Sequence, residues 1–299
     1  MLGTPEPSTA GVPSARLDEA QRLYLDLLRK CLTRFITGGE SFRPIMPKTR
    51  VARRAWRAVE FTLRRAGVRL LRPMRFDASL REEGRDWPAE AETMVGLKRL
   101  ENLEAIIVDV FRRDVPGDLV ETGVWRGGAS IFMRGVLKAL GDPYRKVWLC
   151  DSFRGLPPPS PEKYAADAGD RHHTYEELAV TQEQVRANFA RYGLLDERVE
   201  FVAGWFRDTL PSAPISRISV LRLDGDMYES TWDALVALYM RVSPGGYVVI
   251  DDYGAIPACR QAVSDFRREH EIEDPIHEID WTGVYWRRGV SGASRVGSG

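Results

Sequence analysis

The stretch "GDLVETGVWRGGASIFMRGVLKAL", residues 117–140, indicates the fold class of this chain. Its first half is a short apolar run typical of a buried strand. Its second half has the apolar spacing of a helix that begins just after two glycines. A strand, a glycine-containing loop and a helix in this order open an alternating pattern of strands and helices. The stretch therefore predicts the first strand of a mostly parallel sheet.

The alternation continues toward the C-terminus. Six further segments are typical of strands: "KVWLCDSF" (146–153), "RVEFVAG" (198–204), "ISVLRLDGD" (218–226), "GYVVIDDY" (246–253), "PIHEID" (275–280) and "GVYWRR" (283–288). Helices are predicted between them, near 181–192, 230–240 and 257–269. The last two strands are close enough to form a hairpin, which would add one antiparallel strand. The prediction is a doubly wound, seven-stranded α/β sheet that binds ligands outside the carboxyl ends of its strands.

The composition narrows the class of protein. The chain has 299 residues, 43% of them hydrophobic, which is enough for one large core or two modest ones. Lys and Arg together number 43, as do Asp and Glu, so the net charge of +0 gives no support to nucleic acid as a partner. The cysteines Cys31, Cys150 and Cys259 match no zinc or disulfide pattern. Without a signal peptide or a run of about eighteen apolar residues, we expect a soluble, cytoplasmic protein with no membrane partner.

Four segments are expected along the chain. Residues 1–15 and 289–299 are rich in Gly, Ser and Pro and are predicted to be disordered tails. Residues 16–90 are predicted to form a helical N-terminal extension. Residues 91–288 contain the predicted sheet.

The N-terminal extension includes a basic segment, residues 43–75, with apolar residues at helical spacing. These residues are Trp56, Val59, Leu63, Ala66 and Leu70, and the predicted helix carries arginines on its outer face. Such a helix can bind an anionic membrane. A solvated face on a helix packed against the core or a partner subunit is the more common arrangement. We therefore expect a homo-oligomer of two or more subunits.

The loop "ETGVWRGG", residues 121–128, is suited to a ligand. Its glycines let the backbone approach a bound molecule, and the following helix offers free N–H groups. A dinucleotide site would have glycine where this loop has Glu121, and a carboxylate there repels a pyrophosphate but suits a cationic group. Asp151, at the end of the second strand, can bind both hydroxyls of a ribose. Together with Gly123 and Gly127 these residues indicate S-adenosylmethionine; a tight turn with capping acids is the alternative.

Acidic residues end two later strands, within "LRLDGD" (221–226) and "GYVVIDDY" (246–253). Asp224, Asp251 and Asp252 would repel one another unless a cation or a proton holds them together. Their oxygen atoms, with no His or Cys nearby, suit Mg²⁺ or Ca²⁺. Asp226 could then act as a base toward a hydroxyl made more acidic by the metal. The alternative is that these aspartates cap the helices that follow.

Several of these motifs together resemble the macrocin O-methyltransferase family, the TylF-type sugar O-methyltransferases. They are "ETGVWRGG", "CDSFRGLPPP", "NFARYGLL", "GWFRDTLP", "LRLDGDMYEST" and "GGYVVIDDYG", which occur in the family's order. The resemblance implies the class I methyltransferase (Rossmann-like) fold for residues 91–288 and dependence on S-adenosylmethionine and Mg²⁺. It also implies methylation of a deoxysugar hydroxyl on a macrolide, aminocoumarin or similar antibiotic. Residues 1–90 match less well, and in this family that region shapes the acceptor pocket and the oligomer contacts.

The resemblance also implies roles for individual residues. It places Asp224, Asp251 and Asp252 on the metal and makes Asp226 the base. The residues that would contact the cofactor are Thr93, Met94, Glu121, Thr122, Gly123, Asp151, Ser152, Gly204 and Trp205. The first two of these would close over the cofactor, and the last two would lie near its adenine.

Three other functions remain open from the sequence. The acceptor could be a catechol or polyketide phenol instead of a glycoside. A nicotinamide-dependent oxidoreductase could use the same sheet, although Glu121 argues against it, and a non-catalytic binding protein would leave the four aspartates without a role. The polar stretch 157–180 is expected to be a lid or disordered. One of its histidines, His172 or His173, could touch substrate, but an exposed position is the more common one for a histidine in a loop.

Overall fold

The computed structural model describes residues 17–36, 41–45, 47, 49–86, 88 and 90–289. Apart from Gly289, the predicted tails at 1–15 and 289–299 lie outside the described residues. The helices are α1 (Glu19–Leu32), α2 (Arg50–Arg65), α3 (Ala78–Glu82), α4 (Leu97–Arg112), α5 (Gly128–Ala139), α6 (Gln182–Arg191), α7 (Phe206–Thr209), α8 (Tyr228–Leu238) and α9 (Pro257–Glu269). The strands are β1 (Ser41–Pro44), β2 (Leu71–Met74), β3 (Asp118–Thr122), β4 (Val147–Asp151), β5 (Val199–Ala203), β6 (Ile218–Leu223), β7 (Val242–Ile250), β8 (His277–Glu278) and β9 (Val284–Arg287).

Seven strands form the central sheet in the order β5-β4-β3-β6-β7-β9-β8. The first five pair in parallel, whereas β9 is antiparallel to both β7 and β8. The prediction of a seven-stranded, mostly parallel sheet with an antiparallel strand from a C-terminal hairpin is therefore confirmed. From β3 the chain proceeds to β4 and β5 on one side and returns to β6 on the other. Ligands bind at such a reversal in open α/β sheets.

Helices cover both faces of the sheet. One apolar cluster joins α1, α4 and α5 to the sheet through side chains that include Leu28, Leu103 and Phe132. A second cluster joins α8 and α9 to the other face through Leu235 and Phe266. The first helix of the N-terminal extension is therefore part of the core that supports the sheet.

The rest of the N-terminal extension differs from the prediction. α2 ends at Arg65, and Gly67 follows with a left-handed φ of 72°, a conformation that commonly ends helices. The predicted helix therefore stops at Ala66, and its continuation to Leu70 is wrong. β1 and β2 flank α2 and pair antiparallel, which helical spacing alone could not reveal. Among the described helices, none is both long and apolar enough to cross a bilayer.

Candidate active site

Two adjoining clefts open at the carboxyl ends of β3, β4, β6 and β7. Their cavity volumes are about 90 Å³ and 250 Å³. We call the first, lined by the loops after β3, β4 and β5, the glycine-loop cleft. We call the second, which contains the aspartates at the ends of β6 and β7, the acidic cleft. Met94, Trp125, Asp224 and Asp226 line both, so the two clefts are continuous.

Gly123 determines how the loop after β3 sits against the acidic residues. Its φ is 84°, and a Cβ at this position would lie 1.7 Å from the carbonyl oxygen of Asp224. The N–H of Asp224 donates in turn to the carbonyl of Thr122 at 2.8 Å. The sequence suggested that this glycine lets the backbone approach a ligand. The structure adds that it lets the β3 loop contact the end of β6.

Asp151 ends β4 and lines the glycine-loop cleft. Its carboxylate accepts hydrogen bonds from the N–H groups of Val124 and Phe153, both at 2.7 Å. Burial raises the pKa of this carboxyl even though these hydrogen bonds lower it. The bonds hold the carboxylate at the junction between the loops that follow β3 and β4.

Most of the predicted cofactor residues reach one of the clefts. Those that line either cleft are Thr93, Met94, Glu121, Gly123, Asp151, Ser152, Gly204 and Trp205. Thr122 is fully buried on β3 and lines neither cleft. The structure therefore brings together all of the predicted cofactor residues except Thr122.

Glu121 lies deep beneath the acidic cleft, with 1% of its surface exposed. Its carboxylate accepts hydrogen bonds from the hydroxyl of Ser130 and from the guanidinium of Arg222. Burial raises the pKa of Glu121 to about 7, and the charge of Arg222 opposes this rise. Both oxygens of Glu121 are thus engaged by protein groups, one on α5 and one on β6.

Strand register brings the acidic residues together. Leu223 pairs with Ile250 in the parallel β6–β7 ladder, so Asp224 and Asp251 follow at the same edge of the sheet. Each of Asp224, Asp251 and Asp252 has a carboxylate oxygen within 4.8 Å of the other two. The structure therefore brings all three predicted metal ligands to one place.

Asp226 lies beside these carboxylates and lines both clefts. Its φ of 57° is in the left-handed region, which is uncommon for a residue other than glycine, and its N–H donates to Asp252 at 3.3 Å. The alternative that the cluster caps the following helices is wrong. The carboxylate that caps α8 belongs to Asp167, which accepts from the N–H groups of Tyr228 and Glu229 at 2.7 and 3.0 Å. The N-cap residue of α9 makes no side-chain hydrogen bond.

Two buried arginines, which the sequence analysis missed, neutralise part of the cluster. Arg222 is 1% exposed and contacts Asp224 at 2.9 Å and Asp251 at 2.5 Å. Arg99, on α4, contacts Asp251 and also Asp280, the latter at 2.9 Å. Arg222 stands out in the sequence as a charged residue inside an otherwise apolar strand. Arg99 offers no such local signal because its partners lie far along the chain.

The arginines divide the carboxylates by their pKa. Burial alone would raise the pKa of Asp251, but Arg222 and Arg99 together hold it below its usual value. Burial and the charges of acidic neighbours raise the pKa of Asp252 well above its usual value. The same causes raise the pKa of Asp226 to about 7. In the described part of the chain, no Lys or Arg forms an ion pair with Asp226 or Asp252, so this side of the cluster favours a proton or an added cation.

The donor set of the cluster fits a hard divalent cation. Three carboxylate oxygens close together, with no His or Cys among them, are ligands that Mg²⁺ and Ca²⁺ prefer. A cation there would relieve the repulsion that raises the pKa of Asp252. Asp224, Asp251 and Asp252 are therefore the residues that would hold it.

The polar stretch 157–180 folds over the acidic cleft. It contains three short 3₁₀ helices, Ala165–Asp167, His172–Thr174 and Glu176–Leu178. His172 and Tyr175 line the cleft together with the aspartates, whereas His173 is exposed. Of the two expectations for this stretch, a lid is the one that fits. His172 is partly buried, with 31% of its side chain exposed, so of the two histidines it is the one placed to touch a ligand.

Comparisons with known proteins identify the family of this chain. The macrocin O-methyltransferase (TylF) family matches residues 21–288. The 8-demethyl-8-(2,3-dimethoxy-α-L-rhamnosyl)-tetracenomycin-C 4′-O-methyltransferase of Streptomyces olivaceus is 52% identical, over 92% of this chain and 96% of that protein. The mycinamicin III 3″-O-methyltransferase of Micromonospora griseorubida is 46% identical, over 89% of this chain and 96% of that protein.

A solved structure gives the same answer for the fold. The O-methyltransferase NovP superposes with a TM-score of 0.77 at 46% identity, over 90% of this chain and 99% of that one. The expected fold class, family and enzyme class are therefore confirmed. This chain is an O-methyltransferase with the class I fold and belongs to the macrocin O-methyltransferase family.

Proposed function

We propose that this chain transfers the methyl group of S-adenosylmethionine to a deoxysugar hydroxyl of a glycosylated natural product, with Mg²⁺ as a second cofactor. The Streptomyces olivaceus relative is named for methylating a rhamnosyl-tetracenomycin, and its match spans nearly both chains. This supports a glycoside as the acceptor here. Membership of a family of O-methyltransferases supports S-adenosylmethionine as the methyl donor.

One observation carries the proposal. Asp224, Asp251 and Asp252 converge in the acidic cleft, and Asp226 and Asp252 have no arginine or lysine partner among the described residues. A group of acids with an unneutralised side is costly unless a ligand supplies positive charge. Both Mg²⁺ and the sulfonium of S-adenosylmethionine would do so.

The chain's own residues have separate tasks in the reaction. Mg²⁺, when bound, would supply charge that makes a nearby hydroxyl more acidic, and S-adenosylmethionine would supply an activated methyl group. Asp226 lines both clefts and is the base that takes the proton from the acceptor hydroxyl oxygen. In the metal-free chain its pKa is raised to about 7, and bound Mg²⁺ would lower it, which would keep Asp226 ionised and able to accept a proton. The lid, residues 157–180, shields the acidic cleft and helps to orient the acceptor.

The test is a transfer assay with matched acceptors. The purified chain is incubated with S-adenosylmethionine and either a rhamnosylated aglycone or the same aglycone as a free phenol, with Mg²⁺ or with EDTA. We expect methylation of the glycoside with Mg²⁺, its loss in EDTA and its recovery when Mg²⁺ is restored. Transfer to the free phenol alone would favour the catechol or polyketide alternative, and full activity in EDTA would overturn the role of the metal.

A ligand screen tests the donor independently. S-Adenosylhomocysteine should raise the melting temperature because it binds the folded chain, and NAD should not. The reverse result would support the oxidoreductase alternative.

We also propose a cytoplasmic homo-oligomer. Cys31, Cys150 and Cys259 are free, which suits a reducing compartment. Apolar side chains of the N-terminal extension, including Val51 and Phe61, are 81% and 65% exposed and could be covered by another subunit. Light scattering of the purified chain measures the subunit number, and a monomer at all concentrations would contradict this part of the proposal.

A further inference from the structure

The lid is attached to the catalytic domain on both sides of His172. On the N-terminal side, the carboxylate of Asp167 is 2% exposed and accepts two N–H groups at the start of α8. On the C-terminal side, the indole N–H of Trp125 donates to the carbonyl of Glu177 at 2.8 Å. Trp125 belongs to the loop after β3, so the lid is tied both to that loop and to the start of α8. These attachments hold the segment 168–176 over the acidic cleft.

Within this segment, His172 is held by its neighbours. Its Nδ1 lies 2.6 Å from a carboxylate oxygen of Asp170, and its backbone N–H donates to the other oxygen at 2.8 Å. Its ring also meets Tyr175 edge to face, with centroids 5.7 Å apart. A carboxylate on Nδ1 sets the orientation and tautomer of an imidazole, as it does for histidines that bind metals or substrates.

His172 lies in the wall of the acidic cleft. It lines this cleft together with Asp224, Asp226, Asp251 and Asp252. With Nδ1 engaged by Asp170, Nε2 is the ring atom left for a ligand in the cleft.

A purely structural explanation of this pair is weaker. A histidine that served only to pack the lid would need neither a carboxylate partner nor a place in the cavity wall. The adjacent His173 shows the contrast, because it is exposed and lines neither cleft.

We propose that His172, oriented by Asp170, is an acceptor-binding residue whose Nε2 hydrogen-bonds a sugar hydroxyl next to the one that is methylated. This inference rests on the proposed function, since it takes the acceptor to be a polyhydroxylated glycoside. When Asp170 accepts the proton on Nδ1, Nε2 of the neutral ring accepts a hydrogen bond from that hydroxyl. The pair thereby selects acceptors that carry a free hydroxyl at the neighbouring position.

The experiment compares two acceptors on matched variants. One acceptor is a glycoside that the wild-type chain methylates, and the other lacks the neighbouring hydroxyl. Their dissociation constants are measured by calorimetry on the complex with S-adenosylhomocysteine and Mg²⁺. The variants are His172→Ala, His172→Gln, Asp170→Asn and, as the control, His173→Ala.

We expect wild type and His173→Ala to bind the hydroxylated glycoside about tenfold more tightly than the deoxy analogue, the worth of one hydrogen bond. In His172→Ala this preference should disappear, so that the two glycosides bind about equally, while the affinity for S-adenosylhomocysteine stays within about twofold of wild type. Asp170→Asn should give an intermediate preference because the ring is retained but no longer held by a charged partner. His172→Gln, which can still form one hydrogen bond, should recover part of the preference and serves if the alanine variant folds poorly.

An undiminished preference in both His172 variants would overturn the inference. The inference would also be overturned if the wild-type chain bound both glycosides equally. Equal losses of acceptor and S-adenosylhomocysteine binding in the His172 variants would overturn it too, because they would indicate a structural role. Failure of the proposed function looks different, because then wild type methylates no glycoside at all.

Discussion

The two sides of the acidic cluster are neutralised in different ways. On one side, which we call the arginine side, the carboxylates of Asp251 and Asp280 pair with the buried Arg99, and Asp251 also pairs with Arg222. On the other, the open side, Asp226 and Asp252 have raised pKa values and no arginine or lysine partner among the described residues. Asp224 belongs to both, since one of its oxygens contacts Arg222 at 2.9 Å.

The difference separates what folding requires from what binding requires. Arginine is permanently charged, so the arginine side is neutral whenever the chain is folded. The open side can be neutralised only by protons or by ligands. Its carboxylates therefore repel one another until a cation binds and reduces that repulsion. Substitutions on the arginine side should affect stability, and substitutions on the open side should affect cofactor binding and turnover.

The largest expected effect is on stability, from Arg222→Met. Removing Arg222 leaves the buried Glu121 without its arginine partner and leaves Asp251 with Arg99 alone, which should lower the free energy of unfolding by about 3–5 kcal/mol. Urea denaturation measures this change in the free energy of unfolding. The control is Arg217→Met on the exposed surface, expected within about 0.5 kcal/mol of wild type. Similar stability for the two variants would mean that the arginine side does not hold the carboxylates together.

The next effect is on turnover, from Asp226→Asn. The amide cannot accept the hydroxyl proton, so single-turnover methyl transfer should fall by at least about a hundredfold. The melting temperature should stay the same or rise, because a like charge is removed from the open side. The exposed Asp208→Asn serves as the control. A variant of Asp226 that retains activity would remove its assignment as the base.

A smaller effect, on Mg²⁺ binding, distinguishes the open side from the arginine side when Asp252→Asn is compared with Asp280→Asn. Loss of a carboxylate ligand at Asp252 should raise the Mg²⁺ dissociation constant by about tenfold or more. Asp280→Asn should leave Mg²⁺ binding nearly unchanged but lower stability, because Asp280 contacts Arg99 and is not part of the cluster. Magnesium titrations followed by calorimetry and by melting temperature measure both. If the two variants lost Mg²⁺ equally, the division into sides would fail.

A further effect, confined to the metal-free chain, is on the pH dependence of stability. The pKa of Asp226 rises from 3.8 to about 7 on folding, so between these values the folded chain holds a proton that the unfolded chain has lost. The contribution of Asp226 therefore makes the metal-free chain less stable as pH rises from about 4 to about 7. Melting temperatures at several pH values in EDTA should show a flatter profile for Asp226→Asn than for wild type. A steeper profile would contradict the sign of this shift.

Much of the fold and part of the site could be predicted from the sequence. Strand ends are local features, and parallel strands place their carboxyl ends at one edge, so Asp224 and Asp251 could be expected together. Gly123 could be recognised as a loop glycine from its place between strand and helix. The reason for it, a close approach to the backbone of Asp224, required the structure.

The missed features depend on contacts between distant parts of the chain. Arg99 reaches Asp251 across 152 positions, and no periodicity connects them. The pairing of β1 with β2 around α2 is similarly non-local. His172 looked like a loop residue because its position over the cleft depends on the attachment of the lid through Asp167.

The sequence by itself determined the order along the chain of the strands of the central sheet, the class of sheet and the identity of the acidic residues, because these follow from local apolar patterns and short motifs. Only the tertiary structure decided which of those acids are neutralised by arginine and which are left for a ligand. The physical reason is that the energy of a buried charge depends on everything within a few ångströms of it, and those neighbours come from all parts of the chain.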